Sequence, residues 1–103
     1  MKEYKVQYDY SWRPKDGPSE YILIYTHEKR WFKEGELHRV DGPAIESYNG
    51  TKEWWLNGNR HRENGPAIEW SNGDKEYWYS NEIFEDIQSD EEWKEFLRLK
   101  FLW

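Results

Sequence analysis

Cysteine is absent from the 103 residues of this chain. Its absence excludes disulfide bonds, thiol nucleophiles and thiolate metal ligands. Small secreted domains usually need disulfides or another staple, because a short chain builds only a modest core. The composition therefore predicts a protein of a reducing compartment, and we expect a cytoplasmic location.

Long apolar runs are also missing. No stretch approaches the ~20 apolar residues that cross a bilayer, and the opening MKEYKVQYDY lacks the apolar segment of a signal peptide. We therefore expect no membrane partner. Hydrophobic residues make up only 36% of the chain, but 19% of it is aromatic. Because a buried ring removes roughly 150–250 Å² from water, we expect one ordered domain, residues 1–103, with a core made mostly of rings.

Acidic residues are concentrated near the C-terminus. The stretch from Glu82 to Glu95 carries a charge of −6, which equals the net charge of the whole chain. Such a surface disfavours direct nucleic-acid binding and favours a basic partner, including a protein that itself binds nucleic acid. The stretch contains one base, Lys94, and seven acids: Glu82, Glu85, Asp86, Asp90, Glu91, Glu92 and Glu95.

Much of the remaining chain is a repeat. HRVDGPAIESYNGTKEWW begins at His38, and HRENGPAIEWSNGDKEYW begins 23 residues later at His61. A period in this range indicates a repeat architecture. Of 21 aligned pairs, 12 are identical: His38/His61, Arg39/Arg62, Gly42/Gly65, Pro43/Pro66, Ala44/Ala67, Ile45/Ile68, Glu46/Glu69, Asn49/Asn72, Gly50/Gly73, Lys52/Lys75, Glu53/Glu76 and Trp55/Trp78.

Each copy has the pattern of a β-hairpin. Asn49-Gly50 and Asn72-Gly73 predict two-residue type I′ turns, because both residue types tolerate a positive φ. Asp41-Gly42-Pro43 and Asn57-Gly58 predict the returns between strands. The predicted strands are Ala44–Tyr48, Thr51–Leu56, Ala67–Ser71 and Asp74–Tyr79.

The segments that flank the repeats predict two further strands and a helix. Alternation from Tyr4 to Trp12 predicts a half-buried strand, and Tyr21–Thr26 predicts a well-covered one. Ser89 and Glu92 form a capping-box pattern, which places a helix at about Asp90 to Leu102. Its apolar stripe is Trp93, Phe96, Leu97 and Phe101.

The predicted fold class is therefore mainly β. We expect an antiparallel meander of 23-residue β-hairpin repeats, with one C-terminal α-helix packing on or capping the sheet. Residues 1–30 would form the N-terminal strands and a degenerate repeat, and residues 31–84 the regular hairpins. Residues 85–103 would form an acidic linker and the helix.

The repeat unit W-x-x-x-G-x-x-H-R-x-[DN]-G-P-A-I-E-x-x-N-G resembles the MORN repeat. The family's G-x-x-H is matched at 35–38 and 58–61, whereas Arg39 and Arg62 stand where the family usually has glycine. The likeness covers residues 31–84 and not the C-terminal helix. It implies a hairpin scaffold for partner binding, and in some members lipid binding, without a common chemistry. The H-R-x-[DN]-G-P-A-I-E variant is similar to repeats of phage and large-virus proteins, which implies a viral origin and a host cytoplasm.

The repeated glutamates are the first chemical candidates. Two-residue loops would place them directly opposite each other, Glu46 against Glu53 and Glu69 against Glu76. Such pairs are typical of glycosidase chemistry or of a cation site. The alternative is a solvated face on which they pair with Arg39, Arg62, Lys52 or Lys75. Repetition favours this alternative, because a catalytic pair needs two different environments.

His38 and His61 recur once in each copy, and His27 lies upstream. A zinc site needs three or four converging ligands. The alternative is a structural role, in which a ring nitrogen holds a turn carbonyl or the side chain of Asp41 or Asn64. We predict no metal, no cofactor and no catalytic residue.

Two columns of rings also recur, Trp31/Trp54/Tyr77 and Phe32/Trp55/Trp78. Neighbouring residues of a strand face opposite sides, so one column should be core, and the other should be covered by the helix or exposed. An exposed column favours protein binding, because base stacking normally needs a basic groove. The predicted partner-binding residues are Trp55, Trp78, Trp70, Tyr79, Glu82, Glu85, Asp86, Asp90 and Glu91.

The function that follows is a small non-enzymatic protein-binding module. We expect a phage or viral factor that binds and inhibits or modulates a host protein, with defence proteins among the candidates. One alternative is a carbohydrate-binding or hydrolytic protein that uses the glutamate pairs. Another is a structural module that forms homo-oligomers through an open sheet edge. Specificity should lie where the copies differ, at Ser47/Trp70, Tyr48/Ser71 and Leu56/Tyr79.

Overall fold

A computed structural model of the chain describes residues 1–101 and has 12 short strands and one helix. The predicted fold class, mainly β with a C-terminal helix, is confirmed. The predicted helix end at Leu102 lies outside the described residues. The elements are β1 Lys2–Gln7, β2 Glu20–Tyr25, β3 Glu28–Lys33, β4 Glu36–Leu37, β5 Ile45–Ser47, β6 Lys52–Glu53, β7 Trp55–Leu56, β8 Asn59–Arg60, β9 Ile68–Glu69, β10 Lys75–Glu76, β11 Trp78–Tyr79, β12 Glu82–Ile83 and α1 Asp90–Phe101.

The main sheet has eight strands in the order β1-β2-β3-β5-β6-β9-β10, with β4 attached to β3. Two short ribbons, β7-β8 and β11-β12, stand beside it. Among the described strands, every pair is antiparallel except β1 and β2, which are parallel. The molecule measures 44 × 29 × 19 Å, and its long sheet ends at β1 on one side and β10 on the other.

The predicted N-terminal strand is too long. The chain leaves β1 at Gln7, whose φ is 71°, because Asp9 forms a local turn instead of continuing the ladder. The Asp9 carboxylate accepts the N–H of Ser11 at 3.0 Å and its hydroxyl at 2.6 Å. The turn folds Tyr10 back onto Tyr25, with ring centroids 4.2 Å apart. Tyr10, which was predicted to lie in the first strand, therefore packs on the ring of Tyr25 in β2 instead.

The type I′ turn predicted at Asn49-Gly50 is wrong. Asn49-Gly50 lies in a three-residue loop, because the N–H of Ser47 donates to Thr51 O at 2.9 Å and only Gly50 has a positive φ, of 101°. This geometry is a type I turn closed by a glycine bulge. Type I′ turns, with positive φ at both central residues, occur instead at Glu34-Gly35, Asn57-Gly58 and Ser80-Asn81.

The predicted strand Thr51–Leu56 is divided at Trp54. The N–H of Trp54 donates to Ala67 O in the main sheet at 2.7 Å, and its carbonyl accepts the N–H of His61 in the ribbon at 3.1 Å. One strand therefore serves two sheets, and each repeat carries a ribbon beside the main sheet.

The core has two clusters, one at each end. The first consists of Tyr21, Leu23, Tyr25 and Phe32. The second contains Tyr77, Trp93 and Leu97, so α1 covers the last repeat as predicted. The capping box forms at its start, where the N–H of Glu92 donates to Ser89 Oγ at 3.2 Å. No described helix is long and apolar enough to cross a membrane.

Candidate partner-binding site

The repeated histidines hold successive repeats together. His38 Nδ1 accepts the main-chain N–H of Asn57 at 2.9 Å, and His61 Nδ1 accepts that of Ser80 at 2.9 Å. The predicted structural role is thus observed, with a main-chain N–H in place of the expected turn carbonyl or Asp41 side chain. Within residues 1–101, no three His, Asp or Glu side chains lie close enough together to hold a metal ion.

The predicted face-to-face glutamate pairs do not form. The three-residue loop shifts the register by one position, so that Glu46 pairs with Lys52, and Ile45 pairs with Glu53. The second hairpin has the same register, with Glu69 opposite Lys75. A one-residue shift moves a side chain to the other face of the sheet. The geometry expected for a glycosidase pair is therefore absent from both hairpins.

Glu46 and Glu69 each bind the arginine of their own repeat. Arg39 Nη1 donates to Glu46 Oε2 and Arg62 Nη1 to Glu69 Oε2, both at 3.0 Å. The two guanidinium groups lie 4.0 and 3.8 Å from the ring centroids of Trp31 and Trp54. Arg39 and Arg62 are thus packed on the first ring column. In that column Trp31 and Tyr77 are buried and Trp54 is half-buried, and Tyr77 lies against Trp93 of α1.

In the second ring column Phe32 is buried, whereas Trp55 and Trp78 are half-buried and contact an arginine. The guanidinium of Arg60 lies 4.6 Å from the ring centroids of both Trp55 and Trp78. Arg60 Nη2 donates to Glu53 Oε1 at 3.2 Å, and the indole N–H of Trp55 donates to the same oxygen at 3.2 Å. The group of Glu53, Trp55, Arg60 and Trp78 thus forms a filled cation site between two repeats.

The last repeat has the same carboxylate without the arginine. Glu76 corresponds to Glu53, and its oxygens accept the indole N–H groups of Trp78 at 2.9 Å and Trp70 at 2.8 Å. Ile83 stands where the earlier repeat has Arg60. Among the described residues, Glu76 forms no ion pair. Its carboxylate is therefore held by two neutral donors at the end of the repeat stack.

Strand β10 is an open edge of the main sheet. The carbonyls of Asp74 and Glu76 accept N–H groups from Trp70 and Ala67 on the β9 side. Since backbone groups alternate along an antiparallel strand, the N–H and C=O of Lys75 point away from β9. In the preceding repeat, the equivalent strand β6 pairs with β9, whereas no described strand pairs with the outer side of β10.

Two clefts lie along this edge. One of about 430 Å³ is lined by Trp70, Glu76 and Gln88, among others, and one of about 220 Å³ by Glu76, Ile83 and Glu85, among others. We call this surface the β10 edge and define it by Trp70, Lys75, Glu76, Trp78, Ile83 and Glu85. Trp70 is its exposed ring, with 41% of its surface accessible.

The predicted partner-binding residues divide into three groups. The β10 edge unites Trp70, Trp78 and Glu85, and the exposed Asp86 lines a neighbouring cleft with Glu85. Glu82 and Glu91 are exposed without belonging to this edge. The other three are half-buried and make contacts within the protein: Trp55 against Arg60, Tyr79 between His61 and Phe101, and Asp90 as acceptor of the Tyr77 hydroxyl at 2.7 Å.

Burial, together with the hydrogen bond to Asp90, raises the pKa of the Tyr77 hydroxyl well above its ordinary value. The hydroxyl therefore stays protonated, and it fixes the first residue of α1 against the last repeat. Asp90, predicted as a partner contact, thus anchors the helix.

The sequence prediction did not place Glu76 beside Trp70, or Ile83 beside Glu76. A signal for Ile83 was present, because extending the repeat alignment beyond Gly58 places Arg60 opposite Ile83. The hydrogen bond of Trp70 to Glu76 had no such signal, since Ser47 takes the place of Trp70 in the earlier copy.

No family model matches the chain, and comparisons with curated proteins and with solved structures found no match either.

Proposed function

We propose that this protein is a small non-enzymatic protein-binding module that contacts its partner through the β10 edge. The observation that carries the proposal is the open strand β10 beside the exposed ring of Trp70. An extended segment of another protein can add a strand to such an edge, using main-chain hydrogen bonds for affinity and side-chain clefts for specificity.

The surroundings of β10 support a protein partner rather than a nucleic acid. The stretch Glu82–Glu95 holds the net negative charge of the chain, and its members Glu85 and Asp86 are exposed beside the clefts. Phosphate groups would be repelled there, whereas a basic protein surface would be attracted and oriented. Trp70 would serve as the anchor, since tryptophan is enriched among the residues that dominate interface energies.

The proposal includes binding to a host protein, with its inhibition or modulation as the result. This part rests on the resemblance to repeats of phage and large-virus proteins. A homo-oligomer formed through β10 or β1 is the second use of an open edge. Sedimentation distinguishes the two, because a self-associating chain changes its mass with concentration in the absence of a partner.

Affinity capture with paired variants tests the proposal. A bacterial lysate is passed over immobilised wild type, over Trp70→Ser with Glu85→Gln, and over Tyr8→Ser with Glu3→Gln at the opposite end of the sheet. Trp70→Ser installs the residue that the earlier repeat has at this position. Tyr8 is 74% exposed, so the control makes the same types of change at a comparable surface.

We expect at least one protein that wild type and the β1-end control retain equally, and that the Trp70→Ser, Glu85→Gln variant retains at least tenfold less. Equal retention by all three proteins would show that the β10 edge is not the contact surface. The purified partner should then bind wild type in calorimetry with the same order among variants.

A further inference from the structure

We infer that the β10 edge recognises an arginine side chain of the partner, presented by an extended segment along β10. The inference rests on the proposed function, because it names the chemistry of the partner at that surface. Its basis is the internal repeat, which displays the same site one repeat earlier with an arginine in it.

The filled site is formed by Arg60. Its guanidinium lies between the rings of Trp55 and Trp78, and it donates to Glu53 at 3.2 Å. The ring surfaces attract a planar cation, and the carboxylate neutralises its charge. Two repeats are thus joined by one arginine.

The second site has an equivalent carboxylate and an equivalent indole ring, but no arginine. Glu76 replaces Glu53, Trp78 replaces Trp55, and Ile83 stands in the place of Arg60. Ile83 carries no charge, and a cleft of about 220 Å³ adjoins it, into which Glu76 and Glu85 both face as lining residues. A cation from outside the chain can therefore approach the carboxylate that no internal cation neutralises.

Trp70 supplies a second ring beside Glu76, from the adjoining cleft of about 430 Å³ that Glu76 also lines. Its indole N–H binds Glu76 at 2.8 Å, and its ring remains 41% exposed. The corresponding residue of the earlier repeat is Ser47, which has no ring. In the filled site, the second ring comes from the following repeat, and at the end of the stack no repeat follows. Trp70 thus provides, from its own hairpin, the aromatic surface that a following repeat would otherwise bring.

Guanidinium fits this site better than ammonium. Its planar group stacks on indole rings, and its fork of N–H groups can bind a carboxylate and a strand carbonyl together. A lysine head is a compact, strongly hydrated charge without a stacking face. Pairing of the segment with the outward N–H and C=O of Lys75 would place its side chains alternately toward and away from Glu76.

The test uses three synthetic peptides with the full-length protein: acetyl-Thr-Val-Arg-Val-Thr-amide and the same peptide with citrulline or lysine in the centre. Citrulline keeps the shape of arginine and removes its charge. The indole N–H signals of Trp70 and Trp78 in ¹H–¹⁵N spectra report binding directly, because both groups donate to Glu76.

We expect the arginine peptide to shift both signals and to bind at least tenfold more tightly than the citrulline and lysine peptides. Glu76→Gln should weaken arginine binding at least tenfold, and Glu3→Gln in β1 should leave it unchanged. Equal binding of the citrulline peptide, or undiminished binding to Glu76→Gln, would overturn the inference. If capture from the lysate still depended on Trp70 and Glu85, the proposed function would stand without the inference about arginine.

Ile83→Arg provides a second variant that leaves Glu76 in place. Its new side chain should occupy the site from within, as Arg60 does, and should reduce arginine-peptide binding at least tenfold. Ile83→Met, which adds length without charge, is the matched control and should retain binding. Undiminished binding to Ile83→Arg would contradict the inference even if Glu76→Gln failed to fold.

Discussion

His61 Nδ1 accepts the main-chain N–H of Ser80 at 2.9 Å, across 19 residues of sequence. The same bond joins His38 to Asn57 one repeat earlier. In both cases the N–H belongs to the first central residue of a type I′ turn. A histidine at one turn therefore fixes the position of the next turn, and the repeated G-x-x-H pattern has a mechanical role in stacking the hairpins.

Two substitutions of His61 should weaken this stacking to different degrees. His61 is buried and its ring packs edge-on against Tyr79, with centroids 4.5 Å apart. His61→Phe keeps a ring and loses the acceptor, so we expect a loss of about 1 kcal/mol in unfolding free energy. His61→Ala loses both the ring and the acceptor, so we expect the unfolding free energy to fall by about 2–3 kcal/mol. Urea titration measures these values, with His27→Phe at an exposed position as a control that should stay near wild type.

Glu34→Asn should stabilise the protein. Glu34 has a φ of 50° at the first centre of its type I′ turn, where the next repeat has Asn57 with a φ of 49°. The left-handed conformation costs a glutamate roughly 1–2 kcal/mol and asparagine less. We expect a gain of about 0.5–1 kcal/mol, measured as a higher Tm. Glu34→Gln removes the same charge without the conformational preference, and an equal gain from it would refute this explanation.

Trp93 should be the residue that holds α1 in place. It is fully buried, and its indole N–H donates to Arg62 O at 2.9 Å. Trp93→Phe leaves that carbonyl without a donor and removes part of the ring, so we expect a cost of about 2–3 kcal/mol. Leu99→Ala, on the exposed side of the same helix, should change the stability by less than about 0.5 kcal/mol. Similar effects of both changes would mean that α1 is not anchored through Trp93.

Alkaline pH should destabilise the docking of α1. The folded pKa of Tyr77 lies above its ordinary value, so the unfolded chain releases this proton first and stability falls as pH rises above about 10. Below that pH the contribution is fully present. The Tm of wild type should therefore fall more steeply between about pH 9 and 11.5 than that of Tyr77→Phe. The variant should keep some slope, because burial also raises the pKa of Tyr25. Parallel curves would contradict this assignment.

The repeat pattern predicted most of the fold, because the signals are local. Glycine and asparagine mark turns wherever they occur, and the spacing of Trp93, Phe96, Leu97 and Phe101 indicates a helix face without knowledge of its partner. The turn types were wrong for a local reason as well. Asn49-Gly50 is compatible with both a two-residue and a three-residue loop, and the choice between them sets the register of every residue beyond it.

The candidate site was only partly predictable. Trp70, Trp78 and Glu85 were predicted as partner contacts from ring and charge arguments, and the structure brings them to one edge. Tyr79 and Asp90 were placed on the same surface, but packing against Phe101 and the bond from Tyr77 assign them to the interior contacts of α1. The number of residues that separate these partners along the chain does not predict their contact, because the helix folds back over the last repeat.

The sequence by itself determined the period of 23 residues, the hairpin units and the capped helix, because turn conformations and helix caps depend on neighbouring residues. Only the tertiary structure decided which carboxylates have a cation. Glu53 and Glu76 lie in nearly identical local sequences, yet Arg60 reaches one of them across a ribbon, and the other lies beside Ile83 at an open edge. Glu76 lacks a cation because Ile83 replaces Arg60 in its ribbon, and its edge is open because β10 is the last strand of the main sheet.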